Sequence, residues 1–511
     1  YPDDPPVLEQ VERMLEGFDE RSDLRRLAAK LLDTGIAGTD LYYSFYWPMA
    51  RWLADRWPDR ITVDWEMFEK SDRLKELLSL LVAYSETPAL DLEDFSTEAW
   101  LKRLKGRDET DAAFLVRRFE RLEANGFLKE ALYDSLDPFF KLSPGPGTPS
   151  RTRAKVPVKR IHFQTRVLDR ARPDLHKAIA EAPRSVRHVS QREGRQYVDL
   201  AREAMVTRSR DLDAFSQADP RDVFLVDYGD GLQFAGMGMV PERRLLLESV
   251  YGFVTLRNGV PIGYVLSSAL VRSSEVAYNV FETYRGGESA IVFGRVMSMI
   301  HHLFGSTAFA LDPYQLGYGN EEGLESGAWW FYYKMGFRPV NATVRRVLRT
   351  ELQRMAKDRA HRSDRATLET LASEYTFFHL GSARRDVLGR MDLGAIGLAV
   401  SGLLAEKFGS RREEGIAWCV EEAARLLNVG SFRGWTQDER LAWERWSPLV
   451  LVLPGLPRWS QAEHRGLVEV IRMKGGRSEM AFVQKANQHG PLHDALVALA
   501  SGRKISRKSE Q

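Results

Sequence analysis

"GAWWFYYKMGFRP", residues 327–339, puts five consecutive aromatic residues, Trp329 to Tyr333, ahead of Lys-Met-Gly-Phe. Ala328, Tyr332 and Met335 fall on one face at helical spacing, and the neighbouring rings cover the remaining directions. A helix with no polar side is predicted to lie buried between a sheet and another layer. Lys334 falls in its last turn, where a cation suits the helix dipole. Gly336 supplies a left-handed cap and Phe337 begins the next strand.

Working upstream, the period is alternating rather than helical. "VFLVDYGDGLQFAGMGMV" reads as two strands around Gly229-Asp230-Gly231, and "YGFVTLRNGVPIGYVLSSAL" as a hairpin turning at Asn258-Gly259. That dipeptide best tolerates the positive φ angles of a tight turn. Residues 275–284 form a further strand. It leads into a helix whose Val292, Val296, Met299 and Leu303 share one face. Gly305 ends that helix, "STAFALDPY" starts another strand, and "NATVRRVLR" (residues 341–349) is the candidate final strand. "ETYRGGESA", residues 282–290, lies between strand and helix. A glycine turn there lets first-turn N–H groups point at an anion, with Arg285 adding a charge.

The flanks read differently. Residues 1–142 are helical, with aromatics dense in 41–57, apolar periodicity in 74–84 and 112–128, and Gly126 as a stop signal. Trp47, Trp52, Trp57, Trp65 and Trp100 are expected in the core, the alternative being a substrate groove. Residues 143–190 begin as a Pro/Gly/Ser-rich linker and turn basic, and 192–208 is an amphipathic helix. Residues 191–349 form the α/β region, and 350–511 return to helix.

Length sets a prior of two to four domains. With 44% hydrophobic and 28% charged residues, the chain is that of a globular protein. A net charge of +2 singles out no partner, but residues 151–210 hold 16 Lys and Arg against 6 Asp and Glu. That segment is either a nucleic-acid footprint (tRNA included), an attractor for a phosphate, or a solvated face. The single cysteine, Cys419, excludes an internal disulfide and reads as a core residue. His301-His302 diverge around a helix and cannot share a metal, so no metal is expected. The longest apolar runs, 393–405 and 446–457, are shorter than the ~20 residues of a membrane helix. No signal peptide is visible in a chain that begins at Tyr1, and a cytoplasmic location without membrane contact is expected.

The order strand, strand, strand, Gly turn, helix, strand, helix, Gly-Phe, strand resembles the GNAT superfamily of acyl-coenzyme A N-acyltransferases over residues 192–349. Ala328, Phe331, Tyr332, Lys334, Gly336 and Phe337 fit every fixed position of that family's A-x-x-[LF]-Y-x-K-x-G-F motif. "YRGGESA" is similar to its pyrophosphate loop, with one residue fewer between Gly286 and Gly287. The resemblance implies an α/β (α+β) fold with a GNAT-like mixed sheet, flanked by all-helical regions. It implies acetyl-CoA or another acyl-CoA as donor and an amine as acceptor. Arg285, Gly286, Gly287 and Ser289 would then cradle the coenzyme. A backbone N–H near Val280–Phe281 would hold the oxyanion, and Tyr332 would protonate the leaving thiolate. Glu282 is the nearest carboxylate to act as base. Asn320 and Asn279 would orient pantetheine or substrate. The acidic insertion with Glu321, Glu322 and Glu325 either meets a cationic amine or is solvated. Two rivals keep the fold: an aminoacyl transferase using charged tRNA, and a non-catalytic scaffold.

Overall fold

The computed structural model describes residues 4–502 apart from Arg166, Leu168, Arg170 and Gly287. They divide into two compact units. The first comprises Tyr1–Thr165, Arg195–Gln217 and Asn258–Pro261, the second Arg166–Gly194, Ala218–Arg257 and Ile262–Gln511.

The first unit is mainly helical around a buried aromatic core that includes Trp47, Trp52, Trp100, Phe119 and Tyr133. Trp57 and Trp65 pack against it. The all-helical expectation needs correction. Strands β1 (Leu41–Tyr43), β2 (Ile61–Val63) and β3 (Phe140–Leu142) form an antiparallel sheet in the order β1-β3-β2. Gly126 does not stop a helix. Asn125 accepts from the Leu128 N–H at 2.8 Å and caps the helix Gly126–Leu136.

The second unit is a mixed sheet flanked by helices. Its strands are β4 (Ser185–His188), β5 (Ala218–Gly229), β6 (Leu232–Met239), β7 (Ser249–Arg257), β8 (Val260–Leu270), β9 (Ser273–Val280), β10 (Ala308–Leu311), β11 (Arg338–Pro339) and β12 (Thr376–His379). They lie in the order β11-β12-β10-β9-β8-β7-β6-β5-β4. The β5–β6 and β7–β8 turns use Asp230, Gly231, Asn258 and Gly259 at positive φ, as their sequence requires. The β9–β10 pairing is parallel, with the helix Ser289–Phe304 as its crossover. Val296, Met297, Met299, Ile300 and Phe304 of that helix are buried in the main core. Gly305 closes it at φ 64°.

The aromatic stretch forms the helix Ala328–Lys334. Trp329, Tyr332 and Met335 are buried, while Trp330, Phe331 and Tyr333 are half-buried against the same core. Gly336 follows at φ 109°. Two expectations fail beyond it. "NATVRRVLR" opens the helix Ala342–Lys357 rather than a strand, because Asn341 caps the Thr343 and Val344 amides. The last strand, β12, comes later and pairs antiparallel with β10. The C-terminal helices belong to this same unit. No helix among the described residues is long and apolar enough to cross a membrane.

Candidate functional site

Strands β9 and β10 run together for three pairs only: Ser273 with Ala308, Ser274 with Phe309, and Glu275 with Ala310. On its other edge β9 stays paired to β8 as far as Val280. From Val276 onward the β10 side of β9 has lost its ladder partner, and its backbone groups must be satisfied otherwise. The Tyr278 carbonyl accepts from Gln315 Nε2 at 2.9 Å and from the Tyr332 hydroxyl at 3.4 Å. Gln315 Nε2 also donates to the Tyr332 oxygen at 2.6 Å. The Val280 carbonyl accepts from Arg285 Nε at 3.1 Å. Strand residues two apart direct their backbone groups to the same edge. The Val280 N–H therefore faces this opening, whereas the Phe281 N–H is spent on the Ile262 carbonyl at 3.0 Å.

Burial pushes the Tyr332 phenol above its usual range, partly offset by the Gln315 bond. It stays a proton donor at neutral pH. Phe293 packs edge-on against it, 5.3 Å between centroids.

Beyond Val280 the chain makes a short 3-10 turn, Glu282–Tyr284, with Glu282 exposed. Gly286 follows at φ 81°, and a Cβ there would meet nothing within 4 Å. The glycine is demanded by conformation, not crowding. Gly287 lies outside the described residues. Ser289 opens the long helix, and its carbonyl accepts from the Tyr278 hydroxyl at 3.2 Å. The N-cap residue Glu288 makes no side-chain capping bond to this helix, its carboxylate being paired with Arg257. Uncapped first-turn amides fit an anion such as a diphosphate. Arg285, however, is paired with Glu322.

Asn320 stands apart from this group. Its Oδ1 accepts from the Gly323 N–H and its Nδ2 donates to the Tyr314 carbonyl, so both ends serve the cap of the helix Glu321–Glu325. Glu321 is bound to Arg365. Asn279, in contrast, has a buried Oδ1 without a hydrogen-bond partner among the described residues.

Sequence reasoning missed Gln315, Tyr278 and Glu275. Glu275 forms the last β9–β10 pair, at the fork. Burial above all, then the neighbouring Asp312 charge, pushes its carboxyl up to about 7 despite a hydrogen bond from Tyr375 at 3.2 Å. Alternation marks Tyr278 as inward-facing, but nothing local signals that its carbonyl lacks a ladder partner.

Several side chains of the basic segment are engaged within their own units. Arg151 donates to the Thr207 carbonyl at 2.7 Å, and Arg153 and Lys155 pair with Asp19 and Glu12. Arg202 donates to the Phe215 and Ser216 carbonyls. Arg187 pairs with Glu193. Among the described residues no three His, Cys, Asp or Glu side chains are placed to hold a metal ion. Cys419 is buried, and burial raises its thiol pKa.

No protein-family model matches the chain, and no curated protein or solved structure matches it.

Proposed function

We propose that the second unit moves an acyl group from acyl-coenzyme A to an amine. One observation carries the reading: β9 and β10 part beyond Glu275, and Tyr332 holds its phenol at the carbonyl exposed by the parting. The uncapped helix at Ser289 and the Gly286 turn support it as a place for the diphosphate. Bound acyl-coenzyme A would supply the thioester. The Val280 N–H is the donor available to an oxyanion formed in the opening. Tyr332 holds the proton for the leaving thiolate. On this reading Glu275 takes the ammonium proton in place of Glu282, because its carboxyl titrates near neutral pH.

The non-catalytic reading draws on the Arg285–Glu322 pair, which keeps the loop arginine from a phosphate. One experiment separates them. Tyr332→Phe is expected to bind acetyl-coenzyme A within about threefold of the parent and to release free thiol about 100-fold more slowly with an amine acceptor such as spermidine. An unchanged rate in Tyr332→Phe removes the phenol from the chemistry. Absence of acetyl-coenzyme A binding by the parent supports the scaffold.

A further inference from the structure

The opposite end of β9 borders a cavity of about 430 Å³, within the size range of small-molecule sites. Leu270, Trp446, Phe482 and Leu496 make its wall apolar, and Arg272 and His493 stand among its polar lining residues. Among the described residues no carboxylate lines it. The indole N–H of Trp446 is buried with no acceptor among the described residues.

The polar side is built at a cost in backbone conformation. The β8–β9 turn is Val271-Arg272, both at φ 52°, where a β-branched residue is rare. Arg384 clamps the turn, donating to the Val271 carbonyl at 2.8 Å and the Arg272 carbonyl at 3.3 Å. Asn487 Oδ1 accepts from the Arg272 N–H at 2.9 Å. Arg384 also grips the Asp386 carboxylate at 2.7 Å, and the same oxygen meets His493 Nε2 at 2.7 Å. The negative charge of Asp386 is thereby spent. The exposed Arg272 guanidinium has no ion pair among the described residues and leaves the lining net positive.

We propose that this cavity binds a small organic anion with a ring-sized apolar body, its charge at Arg272 and its body against Trp446 and Phe482. Eight strand residues, roughly 25 Å at ~3.3 Å each, separate it from the opening at Val280. It is therefore a second site, whose occupancy does not depend on the acyl-transfer reading.

The probe is 8-anilino-1-naphthalenesulfonate, titrated by fluorescence against the full chain. One saturable site is expected. Arg272→Ala should weaken it at least fivefold, and N-phenyl-1-naphthylamine, with the same rings and no sulfonate, should bind at least fivefold more weakly. Ala486→Trp fills the cavity and should abolish the signal. Affinity unchanged by Ala486→Trp in a folded protein overturns the site, and affinity unchanged by Arg272→Ala overturns the anion. If Ala486→Trp fails to fold, Ala486→Cys takes its place. N-ethylmaleimide should label that thiol at least fivefold more slowly with the probe bound, Cys419 being buried. Equal labelling rates overturn the proposal.

Discussion

At the open end of β9 the buried polar groups are neutral. A phenol, a carboxamide and a carbonyl satisfy one another around Tyr278. Where the C-terminal helices meet β7, the buried groups are charged. Lys474 and Glu479 form an ion pair with side chains 4% and 0% exposed, and Arg244 Nε lies 3.8 Å from the same carboxylate. Lys474 also donates to the Glu248 carbonyl at 2.7 Å, and Arg244 to the Lys474 carbonyl at 2.8 Å. Burial lowers the Lys474 pKa, with Glu479 pulling the other way. Neutral groups can exchange partners at little cost, so the β9 end can admit a ligand. Buried charges cannot be separated cheaply, so the junction fixes the helices on the sheet.

That contrast is open to attack by mutation. Glu479→Ala strands two buried cations and should cost about 3–5 kcal/mol in denaturant unfolding. A loss below about 1 kcal/mol would show that the junction is not a clamp.

Glu275 comes next. Its folded pKa of about 7 lies above the ordinary glutamate value of 4.5, so the native state binds the extra proton and stability falls as pH rises between those values. Glu275→Gln should flatten that fall by about 3 kcal/mol between pH 4.5 and 8. An unaltered slope would place the carboxyl in solvent. In the first unit, burial also pushes Glu203 and Asp211 up to about 7, giving a slope of the same sign.

Tyr332→Phe removes two neutral hydrogen bonds, one accepted from Gln315 and one donated to the Tyr278 carbonyl, and should cost about 1–2 kcal/mol, below Glu479→Ala. A larger loss would make the phenol a structural tie. The smallest effect is a gain. Val271→Asn puts a residue tolerant of positive φ into the β8–β9 turn and should stabilise by about 0.5–1 kcal/mol. A loss would mean that the Val271 side chain contributes more to packing than its backbone costs.

The sequence made the centre legible and the edges less so. Asn258-Gly259, the apolar stripe of the Ser289–Phe304 helix and the aromatic run each carry a strong local signal, and each forms the expected element. Residues 341–349 misled because Val344 and Leu348 fit the helical period, with Asn341 as cap, as well as a strand. Strand β12 is a short apolar run among helices, and only its pairing with β10 makes it a strand. Val271-Arg272 has no glycine or asparagine to mark its turn. Arg244, Lys474 and Glu479 look like surface charges in the sequence, and long-range packing alone buries them. Around the opening, Tyr332 was readable from its motif, whereas Gln315 enters through an insertion whose path no local pattern specifies.

The central claim is that the parted end of β9 receives coenzyme A, and calorimetric titration of the full chain with coenzyme A tests it most directly. One site is expected with Kd below about 1 mM, tightened by Glu322→Ala, which releases Arg285, and weakened at least tenfold by Gly286→Val, which forces a β-branched residue to φ 81°. No heat at millimolar coenzyme A, in the parent and in Glu322→Ala alike, would contradict it.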